Sequence, residues 1–343
     1  MPGVGFSFQD TDMNDSSGSR TWIVIAVVVT LATVGVILLV RAFGGDAGEG
    51  SADDGKPAPA EKAAPSDAKT KTPPAPAPSA TPAKDMPRTV APLPEMKEAS
   101  ETALAFMRAG EAAEKADDLY AARTNYLAAL ADPGCGNARP VAEARLGDID
   151  VQLVFSPRQM EGKIDYAIAP GDSLKKIAAK HGTTVDLIVK GNSVPNPDRV
   201  QVGDRLRILD GQVFEIAVSK SRNDLLVTLN GQFFKRYTVG TGKFAKTPVG
   251  TFQIVDKIPE PPWWRPDGKV VPYGDKENIL GTRWMAIAAT GDTPPAKGYG
   301  IHGTWDETSL GQQSSAGCIR MANRDVEELF TYVPVGTKVA IGE

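Results

Sequence analysis

A proline- and alanine-rich segment limits which part of the chain can form a compact fold. Residues 44–94 hold 11 of the 27 prolines and almost no large apolar side chains. Such a segment cannot bury enough apolar surface to offset the entropy cost of ordering it. Its Pro-Ala repeats favour extended polyproline II structure, which makes a semi-rigid spacer. We therefore predict a disordered linker over residues 43–94, with the globular part of the chain after it.

An apolar run without charges, residues 22–40, precedes this linker and lies between Arg20 and Arg41. In a helix that rises about 1.5 Å per residue, its length matches the hydrocarbon core of a bilayer. A cleaved signal peptide is the alternative, although its apolar region usually has only about 7–15 residues. We predict a cytoplasmic tail over residues 1–21 and a single transmembrane anchor over residues 22–42.

The charge balance and the cysteine count narrow the classes of function. The formal net charge of -4 lacks the basic excess of nucleic-acid-binding proteins, and nothing in the sequence indicates a metal or a cofactor. Two cysteines, Cys135 and Cys318, would form a disulfide in many exported proteins. The alternative is one catalytic thiol and one unrelated thiol, which the motif around Cys318 favours.

Residues 95–160 are predicted to form a small α-helical module. Apolar and small side chains recur every three or four residues over 99–113 and again over 119–130, as on one face of a helix. A third, less regular stretch follows over 141–153. In the first two stretches, Gly110, Ala122, Tyr126 and Ala129 resemble the small-residue and aromatic positions of a tetratricopeptide repeat, which predicts a protein partner. A helical hairpin that packs on a neighbouring domain is the alternative.

Residues 164–210 show a strand–helix–helix–strand pattern. Asp172 or Ser173 is placed to cap the first helix and Thr183 or Thr184 the second. The segment resembles a LysM module, which implies binding to chains of N-acetylglucosamine; a module that has lost glycan binding is the alternative. The resemblance places the glycan groove between two loops, and its residues are Gly171, Asp172, Ser173, Leu174, Asn192 and Asn196.

The remaining residues, 212–343, are rich in short β-strands. Asn230-Gly231 lies between two alternating runs and is a strong hairpin signal. Only residues 324–332 have a helical pattern. We therefore predict a mainly-β domain, either a sandwich or a barrel.

Two short motifs in this domain carry the candidate chemistry. One reads Gly-Ile-His-Gly-Thr over 300–304, and the other reads Ser-Ala-Gly-Cys-Ile-Arg-Met over 315–321. A free cysteine is mostly protonated at pH 7, so Cys318 needs a base such as His302 to become a strong nucleophile. Gly317 leaves room for a substrate beside the sulfur, where the amides of Gly317 and Cys318 can hold an oxyanion. From these residues alone, a buried structural cysteine and histidine remain as plausible as catalysis.

Both motifs resemble the active site of the YkuD-type L,D-transpeptidases, and further matches extend the resemblance over residues 213–341. It implies that Cys318 attacks the carbonyl of an L,D peptide bond in a peptidoglycan stem peptide, with His302 as the base. The carbonyl of Gly303 would orient the imidazole, Arg320 would contact substrate, and Ser315 would support the site by hydrogen bonding. The resemblance also implies a thioester intermediate that an amine acceptor resolves.

The sequence departs from the family motif at Ala316, where many members have a histidine before Gly-Cys. The departure leaves the nucleophile and the base intact and puts an auxiliary role of that histidine in doubt. Among the aromatic residues of the domain, we predict that Trp284 fills the core. Trp263 and Trp264 lie in a proline-rich loop and are predicted to wall the cleft.

These interpretations combine into one architecture: anchor, linker, helical module, LysM (βααβ) and mainly-β catalytic domain. The implied function is an L,D-transpeptidase that cross-links peptidoglycan or attaches a protein to it, with consequences for cell shape. A hydrolase (L,D-carboxypeptidase) on the same scaffold and a non-catalytic wall-binding scaffold are the alternatives. The implied location is the bacterial cell envelope, with a single-pass inner-membrane anchor and the C-terminal domains in the periplasm.

Overall fold

The computed structural model describes residues 90–343. The predicted cytoplasmic tail (1–21), the transmembrane anchor (22–42) and the linker up to residue 89 lie outside the described residues. Within residues 90–343, no helix is both long and apolar enough to cross a bilayer. Residues 90–94, which we assigned to the linker, contact the helical module: the amide of Leu93 donates to Glu111 at 3.2 Å.

The helical module has three helices, α1 Glu101–Lys115, α2 Leu119–Ala131 and α3 Arg139–Val154. The side chains of Ser100 and Asp118 cap α1 and α2 by accepting a hydrogen bond from the amide three residues on. Gly110 lets the first two helices approach closely, because a Cβ there would lie 2.7 Å from the ring of Tyr126.

Helix α3 packs on the mainly-β domain. Its buried residues Leu146, Ile149 and Leu153 share one core with Phe214 and Tyr332 of that domain. The module therefore packs on a neighbouring domain, as one of our two interpretations predicted, and its resemblance to a tetratricopeptide repeat stays a prediction.

The LysM segment folds as predicted, in the order β1 Lys163–Ala167, α4 Leu174–His181, α5 Val185–Gly191 and β2 Arg205–Leu209. Strands β1 and β2 pair antiparallel, and the two helices cover a small core of their own. The module also touches the catalytic domain directly, since the hydroxyl of Thr184 donates to the carbonyl of Thr331. In addition, Leu187 belongs to the larger core rather than to the LysM core.

The C-terminal domain is mainly β, as predicted. Its strands are β3 Phe214–Ser219, β4 Asp224–Leu229, β5 Gln232–Thr238, β6 Thr241–Gly242, β7 Gly250–Pro259, β8 Trp263–Trp264, β9 Val270–Val271, β10 Arg283–Ala289, β11 Gly300–Thr304, β12 Gln313–Ser315, β13 Ile319–Ala322 and β14 Lys338–Gly342. In the described part of the chain, eight of them form one sheet in the order β13-β11-β10-β7-β14-β3-β4-β5. Pairs β6–β12 and β8–β9 form separate small sheets.

Two local features of this domain follow from the sequence. Asn230 and Gly231 both have positive φ, 51° and 77°, which is the backbone that a two-residue hairpin between β4 and β5 requires. The predicted helix is α6, Asn323–Tyr332, whose Val326 and Leu329 are fully buried in the core. Helix α6 therefore covers the core side of the sheet and leaves the other face of β10, β11 and β13 open for a site.

Candidate active site

A row of side chains crosses four neighbouring strands on the open face of the sheet. Ile258 pairs with Trp284, Trp284 with His302, and His302 with Arg320. Residues opposite each other in a ladder point to the same face, so the four side chains line one surface. Cys318 precedes β13 and reaches the same surface, two residues before Arg320.

This surface is the floor of a cleft of about 490 Å³. The cleft brings together four of the predicted site residues: Cys318, His302, Ser315 and Arg320. Ala316 also lines it and is exposed. The remaining lining residues are mostly apolar and come from β7, from β8 and its flanking loops, from β10 and from the loops before β10 and β11: Ile258, Pro261, Pro262, Trp263, Trp264, Pro266, Ile279, Leu280, Trp284 and Gly298.

The imidazole of His302 is buried and held by the carbonyl predicted to orient it. Nδ1 lies 2.6 Å from the carbonyl oxygen of Gly303. A carbonyl only accepts hydrogen bonds, so Nδ1 carries the proton in the neutral ring and Nε2 keeps a free lone pair. Burial lowers the pKa of His302 to about 4, against the opposing effect of the Gly303 carbonyl. The ring is therefore a neutral base at pH 7.

The thiol of Cys318 is free and partly exposed. Burial raises its pKa, while the amide of Gly300 and the positive charge of Arg320 act in the opposite direction. Its sulfur lies 3.6 Å from the carbonyl oxygen of Gly298. Cys135 is also free and is buried in the helical module, so the structure contains no disulfide between the two thiols.

Position 317 requires a residue without a side chain, for two reasons. Its φ is 139°, and a Cβ there would lie 2.6 Å from the ring of Tyr299 and 3.2 Å from the carbonyl oxygen of Lys246. We predicted its amide as an oxyanion donor, but this N–H already donates to the hydroxyl of Ser315 at 3.0 Å. The amide of Cys318 is the member of the predicted pair that stays available.

Ser315 stabilises the turn over residues 315–318, which carries the candidate nucleophile. Its hydroxyl donates to the carbonyl of Cys318 at 2.7 Å and accepts from the amide of Gly317, which closes the turn between them. The predicted support by hydrogen bonding is therefore directed at the cysteine and not at the imidazole.

Arg320 brings a positive charge to the cleft, and its buried Nε has no hydrogen-bond partner within residues 90–343.

Comparison with known proteins identifies the domain. The family profile of the L,D-transpeptidase catalytic domain (YkuD) matches residues 214–341. A Bacillus licheniformis protein named as the L,D-transpeptidase YkuD is 34% identical over 182 residues, which cover 51% of this chain and 97% of that protein. This chain belongs to the YkuD family of L,D-transpeptidases. A second relative, named as the L,D-transpeptidase YqjB of Bacillus subtilis, is 42% identical over 37% of this chain and 69% of its own length.

Two further comparisons concern the LysM segment and a solved structure. The LysM profile matches residues 166–209, within the segment we predicted. A crystal structure of an L,D-transpeptidase from Mycobacterium tuberculosis H37Rv aligns with 42% of this chain and 64% of its own at 19% identity, with a TM-score of 0.32. Residues 90–343 contain no group of three or more His, Cys, Asp or Glu side chains placed to hold a metal ion.

Two residues of the candidate site were not predicted from the sequence. Trp284, which we predicted as core filling, is half-buried and lines the cleft beside His302, so that prediction was wrong. Trp263 and Trp264 line the cleft as predicted. Thr247 is buried; its hydroxyl donates to the carbonyl of Gly317 at 2.8 Å and accepts from the amide of Gly242. Its sequence position beside Pro248 gave no sign of this contact.

In the LysM module, most of the predicted glycan-binding side chains already serve the fold. Leu174 is buried in the LysM core, and Ser173 caps α4. Asp172 accepts hydrogen bonds from the hydroxyl of Tyr166 and the amide of Ala169. Gly171, at φ 85°, forms the turn before this helix. Only backbone groups and the exposed parts of these loops are left to meet a ligand there.

The two asparagines of the predicted groove also have structural partners. Asn192 donates to the carbonyls of Ile188 and Arg207 and accepts from the amide of Arg207, which ties α5 to β2. Asn196 caps the short helical turn Pro197–Arg199 by accepting from the amide of Asp198.

Replacing Asn192 with alanine is expected to destabilise the LysM module by about 2 kcal/mol, because its side chain loses three hydrogen bonds, two of them to Arg207 of β2. Asn196→Ala is the matched control: it loses one exposed hydrogen bond and should cost less than about 1 kcal/mol. Hydrogen exchange of the LysM amides in both variants measures the difference. Equal protection in Asn192→Ala and the wild type would contradict the structural role of Asn192.

Proposed function

We propose that this chain is an L,D-transpeptidase that acts on peptidoglycan stem peptides through a thioester on Cys318. The observation that carries the proposal is the arrangement in the cleft. Cys318 shares an open cleft with His302, whose Nδ1 is held by the Gly303 carbonyl, so that Nε2 carries the lone pair that can take a proton. A nucleophile beside a base that a third group orients is the recurring pattern of acyl-transfer enzymes.

The proposed reaction has two halves. Nε2 of His302 takes the thiol proton as Sγ of Cys318 attacks the carbonyl carbon of the L,D peptide bond. The tetrahedral intermediate collapses to a thioester, and the proton on His302 passes to the leaving D-amino acid amine. An acceptor amine then gives a proton to His302, attacks the thioester and regenerates the thiol.

Before a substrate binds, the thiol of Cys318 and the imidazole of His302 are both neutral. Burial raises the pKa of the Cys318 thiol and lowers that of His302, so the proton stays on sulfur until a substrate arrives. Proton transfer therefore accompanies the attack, in contrast to sites that hold a preformed thiolate–imidazolium pair. We propose that the amide of Cys318 donates to the developing oxyanion and that the positive charge of Arg320 attracts a substrate carboxylate.

The rate of acylation is expected to stay high at a lower pH than an ordinary histidine would permit. Since the folded-state pKa of His302 is lowered to about 4, the ring remains an unprotonated base as the pH falls through 6.5. Acylation by a carbapenem, followed by intact mass between about pH 4.5 and pH 8, tests this. A loss of rate with a midpoint near 6.5, the usual histidine pKa, would contradict it.

The product mixture distinguishes transfer from hydrolysis. Purified protein is incubated with a stem tetrapeptide, with and without an amine acceptor, and the products are identified by mass. We expect a cross-linked peptide when the acceptor is present. Release of the truncated peptide alone would indicate the hydrolase, and no turnover with no carbapenem adduct would indicate a non-catalytic scaffold.

The roles that we propose for the other parts of the chain fit the same peptidoglycan substrate. We propose that the LysM module binds the glycan strand and so raises the local concentration of attached stem peptides at the cleft. We also propose that residues 22–42 anchor the chain in the inner membrane, with the C-terminal domains in the periplasm. The helical module packs against the catalytic domain through α3. A protein partner for the helical module stays a prediction.

A further inference from the structure

The side chain of Trp284 lies against the proposed base. On β10 it stands directly opposite His302 of β11, and the two ring centroids are 5.6 Å apart with planes tilted by 30°. The rings form a tilted pair, and their separation lies in the range of about 4.5–7 Å that favourable aromatic contacts occupy. The indole therefore packs against the imidazole.

The indole also extends toward the nucleophile. Gly300 lies two residues before His302 on β11, and a Cβ there would come within 2.7 Å of Cζ2 and Cη2 of Trp284. The space left by this glycine is the space that the indole ring fills. Because the amide of Gly300 faces the sulfur of Cys318, the ring spans the part of the strand between base and nucleophile.

His302 has no carboxylate partner in the cleft. The groups that act on its charge are the carbonyls of Gly303 and Leu280 and the guanidinium of Arg320, and the thiol of Cys318 lines the same cleft. None of the residues that line the cleft is Asp or Glu. When the ring becomes an imidazolium, the nearby positive charge of Arg320 disfavours it. An electron-rich indole face is the remaining group on β10 that can stabilise the new charge.

We propose that Trp284 is a positioning residue, which fixes the plane of the imidazole and stabilises the imidazolium formed when Nε2 accepts the thiol proton. The inference rests on the proposed function, since it assumes that the proton passes from Cys318 to His302. It assigns to an aromatic ring the two tasks, orientation and charge stabilisation, that an aspartate performs in a Ser-His-Asp triad. The Gly303 carbonyl shares the first task.

The test measures the rate of acylation by a carbapenem at several pH values, by intact mass. Trp284→Ala should slow acylation about tenfold or more at neutral pH, because the imidazole loses its aromatic partner. Two effects on the pKa of His302 then oppose each other: loss of the indole face disfavours the imidazolium, whereas entry of water favours it. Burial is the largest cause of the low pKa, so the effect of water should prevail. The pKa should therefore rise from about 4 toward its usual value, and the acidic limb of the profile should move to higher pH. Trp284→Phe keeps a ring face and should restore most of the rate.

Trp305→Ala is the matched control. Trp305 follows β11 at the surface, is 56% exposed and does not line the cleft, so its loss should change neither the rate nor the profile. A Trp284→Ala protein with the wild-type rate and profile would overturn the positioning role alone. A rate that falls equally at every pH, with no rescue by phenylalanine, would also overturn it. Wild-type protein that forms no adduct would overturn the proposed function and this inference together.

Discussion

Replacing Cys318 with alanine is expected to abolish acylation, with a loss of at least about 10⁴-fold, because no other group in the cleft can form the covalent bond. Of the residues that line the cleft, Cys318 is the one that carries a thiol, and the hydroxyl of Ser315 is already bonded to the carbonyl of Cys318. Intact mass after incubation with a carbapenem should show one adduct on the wild type and none on Cys318→Ala. Turnover of a stem tetrapeptide should disappear in parallel.

Cys135→Ala provides the matched control for this experiment. Cys135 is 1% exposed and lies in the core of the helical module, outside the cleft. Its replacement removes the other thiol of the chain, so the adduct and the turnover should persist at their wild-type levels. An adduct on Cys318→Ala, or its loss in Cys135→Ala, would contradict the assignment of the nucleophile.

Replacing Gly317 with alanine is expected to lower the acylation rate at least about 100-fold while the nucleophile and the base both remain. The new methyl group would lie 2.6 Å from the Tyr299 ring and 3.2 Å from the Lys246 carbonyl oxygen, at a φ of 139° that favours glycine. The peptide unit before Cys318 must then shift, and with it the sulfur. Acylation rate and thermal unfolding, measured on the same preparation, separate a displaced thiol from a loss of fold.

Gly336→Ala tests whether backbone strain alone explains the effect. Gly336 also has a positive φ, 93°, but no atom lies within 4 Å of its added Cβ. Its replacement should cost about 1 kcal/mol of stability and leave acylation unchanged. Adding Tyr299→Ala to Gly317→Ala removes the ring that the methyl group meets and should recover part of the rate. Wild-type acylation by Gly317→Ala would show that the loop tolerates a side chain there.

Much of the local structure could be predicted because short-range chemistry encodes it. The Asn230-Gly231 turn, the caps at Ser173 and Thr184, and the periodic faces of α1 and α2 depend on residues within four positions of each other. The candidate nucleophile and base could also be predicted from the sequence, since each lies in a short motif that resembles one family.

The pairing of His302 with Trp284 could not be predicted in the same way. It depends on the strand order β13-β11-β10-β7, which brings residues 18 positions apart to opposite sides of one ladder. Thr247 is a similar case, because its bond to Gly317 spans 70 positions. The hydrogen bonds of Asn192 to Ile188 and Arg207 could not be predicted either, because an asparagine in a loop offers the same donors and acceptors to a glycan as to a backbone.

The sequence by itself determined the βααβ module, the mainly-β domain and the identity of Cys318 and His302 as the candidate pair. Only the tertiary structure decided what surrounds that pair: a carbonyl on one edge of the imidazole, an indole packed against its ring, and a serine that engages the amide of Gly317. The physical reason is how far apart in the sequence the interacting residues lie. Caps, turns and motifs are written in neighbouring residues, whereas burial, stacking and hydrogen bonds across a sheet depend on which distant strands lie side by side.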